Sequence, residues 1–403
     1  VSVPTLKVQM DSGNLTAGGG FVLDTDQLDT GTFGAGEPSW DFDITGYVRG
    51  GSTDRGTSNE LQRVEAGQAS LLLDARDGAF VPTNTLSPFY PNIFPMRRVR
   101  ILAVWASVEY PVFSGYAESW PVTFPEIVDQ VVQLRLVDGF TVLARSAVSG
   151  SFSAQTTGQR VTAILDAIEW PLDQRDVDVG ASSVPAVTLD NVSALSHLQA
   201  IEHAEGGRLF MSRDGKVTFR DRYPTVVTDF STRTWSGTTM TYRDITLSFD
   251  DSTLFNEIRL TRTGGTEQVV EDLNSIQKYF RRSLVEADVQ LATDAEVLGL
   301  AEDLLARYSE VGLRIEGLVD NAMKHGFWDR VLSREIQDQV LWEKQPAGSD
   351  LISQNSLIEG IHHEFDPESW TVSFRGSPSN LTQVGILDDT TYGLLDSTMI
   401  LAR

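Results

Sequence analysis

Five histidines, 56 carboxylates and no cysteine set the chemistry open to this 403-residue chain. His197 and His203 lie six apart on a predicted helix, a spacing that points them to different faces, so they make no zinc pair. His362 and His363 are adjacent on a predicted strand and point to opposite sides. A metal site on any of these needs distant partners, so ordinary surface or core histidines are expected. The run Asp41-Phe42-Asp43-Ile44-Thr45-Gly46 opens like a calcium loop. Its alternating Phe and Ile argue for a strand instead, and Ser52 stands where a bidentate Glu is needed. No phosphate-cradling loop or nucleophile elbow occurs. Gly34-Ala35-Gly36 runs into Glu37-Pro38, which rules out a dinucleotide-binding helix start. Without cysteine there are no disulfides, thiolate metal sites or cysteine nucleophiles, which fits assembly in a reducing cytosol. So many acidic residues make any glycosidase-type carboxylate pair unreadable. Arg97, Arg98 and Arg100 form a basic cluster, read first as a charged strand edge and second as a contact with an acidic neighbour. The expectation is a non-enzymatic chain with no catalytic, cofactor-binding or metal residues.

Something must position these side chains, and 403 residues are too many for one ordinary core; roughly two to four domains are expected. Hydrophobic residues at 41% and charged residues at 22% mark a globular chain. No apolar run is long enough to span a bilayer. Val1 to Met10 lack a basic stretch followed by an apolar core, so neither a signal peptide nor a membrane anchor is expected. The net charge of −24 argues against gripping nucleic acid, because phosphates are neutralised by Lys and Arg. It fits a solvated acidic surface, or a wall past which DNA slides without sticking.

Residues 1–150 read as mainly β. Alternating runs occur at Phe42–Val48, Arg98–Trp105, Pro111–Tyr116 and Gln133–Val137. A Pro/Asn/Ser-rich loop between Pro82 and Pro95 carries Phe89, Tyr90 and Phe94, aromatic enough to pack on something. Residues 151–240 read as α/β. One helix runs through Val161–Ile168; a second, from about Ser193 to Ala204, is stopped by Gly206-Gly207. A hairpin follows, Arg208–Met211 and Lys216–Phe219, turning at Asp214-Gly215 in a type I′ geometry. Residues 241–383 return to strands, among them Asn256–Thr261, Gly312–Ile315, Arg330–Ser333 and a pair flanking Gln345–Ser349. They also hold an amphipathic helix over 293–309. Thr293 and Glu296 have capping-box spacing there, and Val297, Leu300, Ala301, Leu304, Leu305 and Tyr308 form one apolar stripe. Residues 384–403 form an apolar tail that must dock on its own chain or on a neighbour.

The segment Val112–Trp120 runs in step with Leu357–Phe365: an apolar pair, a spacer, Gly, an apolar residue, and an aromatic five places after the Gly. Read as a duplication, it gives two barrels of one kind separated by the helical region. The stretches Ile44–Val48, Ala66–Asp74, Asp77–Asn84, Ser87–Tyr90, Pro95–Arg100, Val112–Tyr116 and Ser119–Pro121 resemble minor tail proteins of long-tailed actinobacterial phages. Lys278–Ser283 and Ile386–Asp389 with Leu394–Asp396 continue the resemblance. Where those proteins often have Gly after the Tyr, this chain has Phe280.

The resemblance implies a baseplate hub: α+β, mainly β, with two related β-barrel domains (1–150 and 241–383), an intervening α/β region and a long amphipathic helix. It implies a homotrimeric ring whose six barrels adapt the sixfold tail tube and distal tail ring to the threefold tip. Its expected partners are the distal tail protein, the tail tube and central fibre or spike proteins. DNA passes through the lumen during genome ejection without specific binding, and part of the acidic excess would line that lumen. The expected location is the virion tail tip, after assembly in the host cytoplasm. The other readings are the distal tail ring itself, a tail-associated cell-wall hydrolase, and a glycan-binding fibre-tip module.

Overall fold

The structure is a computed structural model that describes residues 3–12, 39–58, 60–123, 130–223, 227 and 229–379. The run 34–36 and the tail 384–403 lie outside the described residues. The fold is mainly β, built on two antiparallel three-stranded meanders. In the first, strand Val108–Ser119 lies between Arg98–Trp105 and Val131–Val137. In the second, Ile352–Phe365 lies between Gln339–Lys344 and Trp370–Pro378. Each central strand carries one half of the repeated segment.

The glycines of the two central strands meet different neighbours, backbone at the first and the end of a long side chain at the second. A Cβ at Gly115 would run into the carbonyl oxygen of Val137, and one at Gly360 into the guanidinium of Arg375. Phe113 and Ile358, two residues earlier, are both buried. Past the glycine the match fades: Ala117 is buried where His362 is half-exposed, and Glu118 is exposed where His363 is buried. The second strand slips register between Ile358 and Gly360, which turns its later side chains over.

Both meanders belong to one sheet, which has fourteen strands among the described residues. Gln68–Asp74 and then Val48–Gly56 extend the first meander, and Val48–Gly56 pairs antiparallel with Ile352–Phe365 of the second. Gly56 faces Gly360 across this junction, and Gly51 faces Phe365. Gly56 holds φ at 91° and leaves no room for a Cβ against Glu359 and Gly360. Among the described residues the strand path is open, with Tyr242–Ser248 at one end and Phe42–Asp43 at the other.

Helices Thr157–Ala167 and Ala194–Glu205 pack with the hairpin Arg208–Met211/Val217–Arg220 into the same core as the sheet. Ser193 caps the second helix, and Gly206 ends it at φ 66°. A capping box of Thr156 and Gln159 opens the first helix one turn earlier than its apolar spacing indicates. The hairpin turn is wider than expected: Gly215 takes φ 90° while Asp214 keeps an ordinary φ, and Ser212 Oγ accepts from the amide of Lys216 at 2.9 Å. A type I′ pair is therefore absent there.

Between the paired strands Tyr242–Ser248 and Arg314–Asp320 the chain leaves the sheet to build a separate module. Strands Glu257–Arg262, Gln268–Glu271 and Ser283–Val289 are covered by helix Asp294–Tyr308 around their own apolar cluster. The Thr293–Glu296 capping box is formed in both directions, at 3.2 and 3.0 Å. Two expected strands come out differently. Phe42–Val48 is broken because Asp43 accepts from the amide of Thr45 and Thr45 Oγ1 from the amide of Val8, folding residues 45–47 into a 3-10 turn. Arg330–Ser333 falls mostly in helix Trp328–Leu332, which buries Trp328, Val331 and Leu332 at the i, i+3, i+4 spacing of one helical face.

Phe280 keeps the turn despite its side chain, at φ 63° and ψ 170°, a region almost reserved for glycine. Its ring is 85% exposed, so no burial offsets the strain. Buried Asn256 holds the backbone there, donating Nδ2 to the Phe280 carbonyl at 2.8 Å and accepting from the Arg282 amide at 2.7 Å. Phe280→Gly should therefore raise unfolding free energy by about 1 kcal/mol, measured by urea denaturation. A loss of stability would show that the strain is not real.

Candidate functional site

A cleft of about 540 Å³ opens where the sheet, the helical layer and the inserted module meet. Arg208 enters it from the first residue of its hairpin and is buried. Its guanidinium donates to Glu359 Oε2 at 2.7 Å and to the carbonyls of Gln62 and Glu60 at 3.0 and 3.1 Å. Glu359 stands on the central strand beside Gly360, and its other oxygen accepts from Ser377 Oγ at 2.6 Å. Both oxygens of Glu359 and both terminal nitrogens of Arg208 are thus engaged, while Arg208 Nε is buried with no hydrogen-bond partner among the described residues. A buried ion pair needs such matching if it is not to destabilise the fold. Arg314 pairs with Glu60 at the same junction.

The pairing is less complete at Glu202. Oε1 accepts from the Leu209 amide at 3.0 Å, while Oε2 is buried with no hydrogen-bond partner among the described residues. Burial raises its pKa to about 7, against the lowering pull of Arg208. Asp138 behaves alike: it accepts from the amides of Gly67 and Phe140 at 2.6 and 2.9 Å, yet burial lifts it to about 7. Glu205, fully buried, accepts from Thr157 Oγ1 and from the amides of Ala181 and Ser182 at 2.8 to 3.0 Å. Arg55 joins Glu335 at 2.7 Å across 280 residues. These carboxylates are spent on backbone amides and guanidiniums, and they hold layers together.

The residues singled out in the sequence do not converge here. His197 is buried, and burial and then Arg160 lower its pKa to about 4; His203 contacts Glu286 at 2.6 Å. His362 faces Asp54 at 3.4 Å, whereas His363 points inward and accepts from Trp370 Nε1 at 3.2 Å, with burial first among the causes that hold its pKa to about 3. Among the described residues no group of three His, Asp or Glu side chains is arranged to hold a metal. Asp41 accepts from the hydroxyl of Ser12, and Asp43 is used in the 3-10 turn. The arginine cluster divides: Arg97 is buried against Asn92 and Phe94, while Arg98 and Arg100 share the other face of their strand. Phe89 packs on Phe80, Tyr47 and Phe42, so the Pro-rich loop does dock by an aromatic, with Tyr90 and Phe94 left exposed.

Arg208, Glu359, Glu202 and Asp138 escaped sequence reading, although a signal exists. Glu359 interrupts the apolar run Leu357-Ile358-Glu359-Gly360-Ile361, and a charge inside a buried strand implies a buried partner. The partner itself lies 151 residues away.

No protein-family profile matches this chain, and no curated protein sequence is similar to it. Solved structures share its fold. The 43 kDa tail protein of prophage MuSo2 from Shewanella oneidensis superposes with a TM-score of 0.54 at 13% identity, over 83% of this chain and 94% of that one. The tail protein from Neisseria meningitidis MC58 gives 0.57 at 13% identity, over 94% and 97%. The chain thus has the fold of these tail proteins along nearly its whole length.

The raised Glu202 carboxyl fixes a pH dependence. Its folded pKa of about 7 exceeds the ordinary value of 4.5, so the folded state binds more protons between them, and its contribution to stability falls as pH rises through that window. Glu202→Gln should remove this term. Relative to wild type, the variant should gain stability from pH 4.5 to about 7 and level off above, in denaturant titrations at stepped pH. A difference independent of pH would mean that Glu202 is not desolvated.

Proposed function

We propose that this chain is a structural, non-enzymatic hub protein of a phage tail tip. The observation that carries the reading is the fold shared with tail proteins over 94% of this chain and 97% of the Neisseria protein. The two meanders support it: read as a duplication, two similar strand-rich units per chain let three chains present six similar faces. In this reading 1–150 and 241–383 carry the two barrel-like domains, 151–240 the α/β layer, and 384–403 a docking tail. The copies form a trimeric ring around the DNA exit channel, between the sixfold tube with its distal tail ring and the threefold tip with its fibre or spike. The host phages are those of actinobacteria, and the ring joins the virion tail in the host cytoplasm. The net charge of −24 suits a lumen that DNA crosses without binding.

Electron microscopy of intact virions, with antibody to this chain, tests the reading. Label at the tail tip, around the axis and with threefold symmetry, is the expected result. Sixfold density would make it the distal ring instead, and a chain missing from particles would overturn a tail role.

A further inference from the structure

We propose that a basic pocket beside the first meander receives a carboxylate-bearing segment of a second copy of this chain. The pocket, about 210 Å³, lies between strands Arg98–Trp105 and Val108–Ser119 and the hairpin turn at Ser212–Lys216. Four cations line it, Arg98, Arg100, Arg213 and Lys216, against two carboxylates, Asp173 and Asp214. Asp214 is already engaged with Lys216 at 3.4 Å.

Among the described residues the hydrogen-bond and ring partners of the three guanidiniums are neutral, and Glu109 acts on Arg100 only through its field. Arg98 stands 5.8 Å from the centre of the Tyr116 ring. Arg100 lies 4.7 Å from the Trp40 ring and donates twice to Gln9 Oε1, at 3.0 and 2.7 Å. Arg213 donates to the carbonyls of Leu332 and Arg334 at 2.6 and 3.2 Å. Several other guanidiniums are matched to acids within the chain, as in Arg55–Glu335, Arg208–Glu359 and Arg375–Asp54, whereas Arg97 and Arg160 bond neutral groups.

Local charge complementarity between the pocket and a carboxylate points to the occupant, working against the mutual repulsion of two chains that each carry −24 overall. With 56 acidic side chains against 32 basic, a copy of this chain supplies carboxylates on most approaches. Bidentate guanidinium–carboxylate bonds are then available to Arg98 without breaking any contact it now makes. The indole and phenol rings beside the guanidiniums exclude water, which strengthens such a pair. This inference rests on the ring of copies proposed above and names one of its contacts.

Sedimentation velocity of the full chain tests it at low and high salt. Wild type should associate; because salt screens both the pocket contact and the repulsion between two chains of net charge −24, variants are compared with wild type at each salt concentration. Arg98→Glu should weaken it by about tenfold or more at unchanged melting temperature, while Arg98→Lys keeps most of it. Arg243→Glu, a reversal at an exposed position on strand Tyr242–Ser248, should change little. If Arg98→Glu fails to fold, Arg98→Gln carries the same comparison. Wild-type-like association by the folded variant, or a wild type monomeric throughout, overturns the inference. Virion labelling separates this from the parent reading: a tail-located chain whose Arg98→Glu variant assembles normally sinks only the pocket contact.

Discussion

The pairing of strand Val48–Gly56 with strand Ile352–Phe365 is the constraint on which the rest of the molecule depends. It joins residues some 300 apart in sequence into one sheet, and it requires glycine at position 56, where a Cβ would strike the backbone of Glu359 and Gly360. Arg375 seals the junction, donating to the Thr57 carbonyl at 2.9 Å and to Asp54 at 2.6 and 3.1 Å. Long-range pairing of this kind is entropically costly to form, so side chains along the seam must favour this register over others.

The buried ions supply that preference. Arg208–Glu359 ties the helical layer to the second meander, and Arg55–Glu335 ties the first meander to the segment after helix Trp328–Leu332. Neither pair need add much net stability, because desolvation offsets most of the Coulomb gain. Breaking one by removing a partner is another matter, costing about 3–5 kcal/mol, since the remaining charge is stranded. A misregistered junction would strand both pairs at once. Shape and charge thus specify one arrangement of the layers, a property a protein needs if copies are to fit neighbours in an assembly.

Local chemistry made much of this fold readable in advance. The Thr293–Glu296 box, the Gly206 stop and the Arg208–Phe219 hairpin depend on contacts within a few residues, and all three occur at the expected places. The failures have local causes too. Arg330–Ser333 is a short apolar run, for which helix and strand cannot be separated by period alone, and Trp328 decides the matter by burial. Phe42–Val48 alternates as a strand should, yet Asp43 and Thr45 turn it with side-chain hydrogen bonds. Partnerships across the sheet were out of reach. Nothing near Glu359 names Arg208, and nothing near Arg98 shows that Arg213 will stand beside it.

The two meanders, the helical layer and the seam should open as one unit. Native-state hydrogen exchange under increasing denaturant measures this directly at the amides of Val48–Gly56 and Ile352–Phe365. If the seam governs the fold, amides paired across it exchange only with global unfolding, at the same free energy in both strands. Early exchange at the junction, with each meander retaining its own protection, would contradict it.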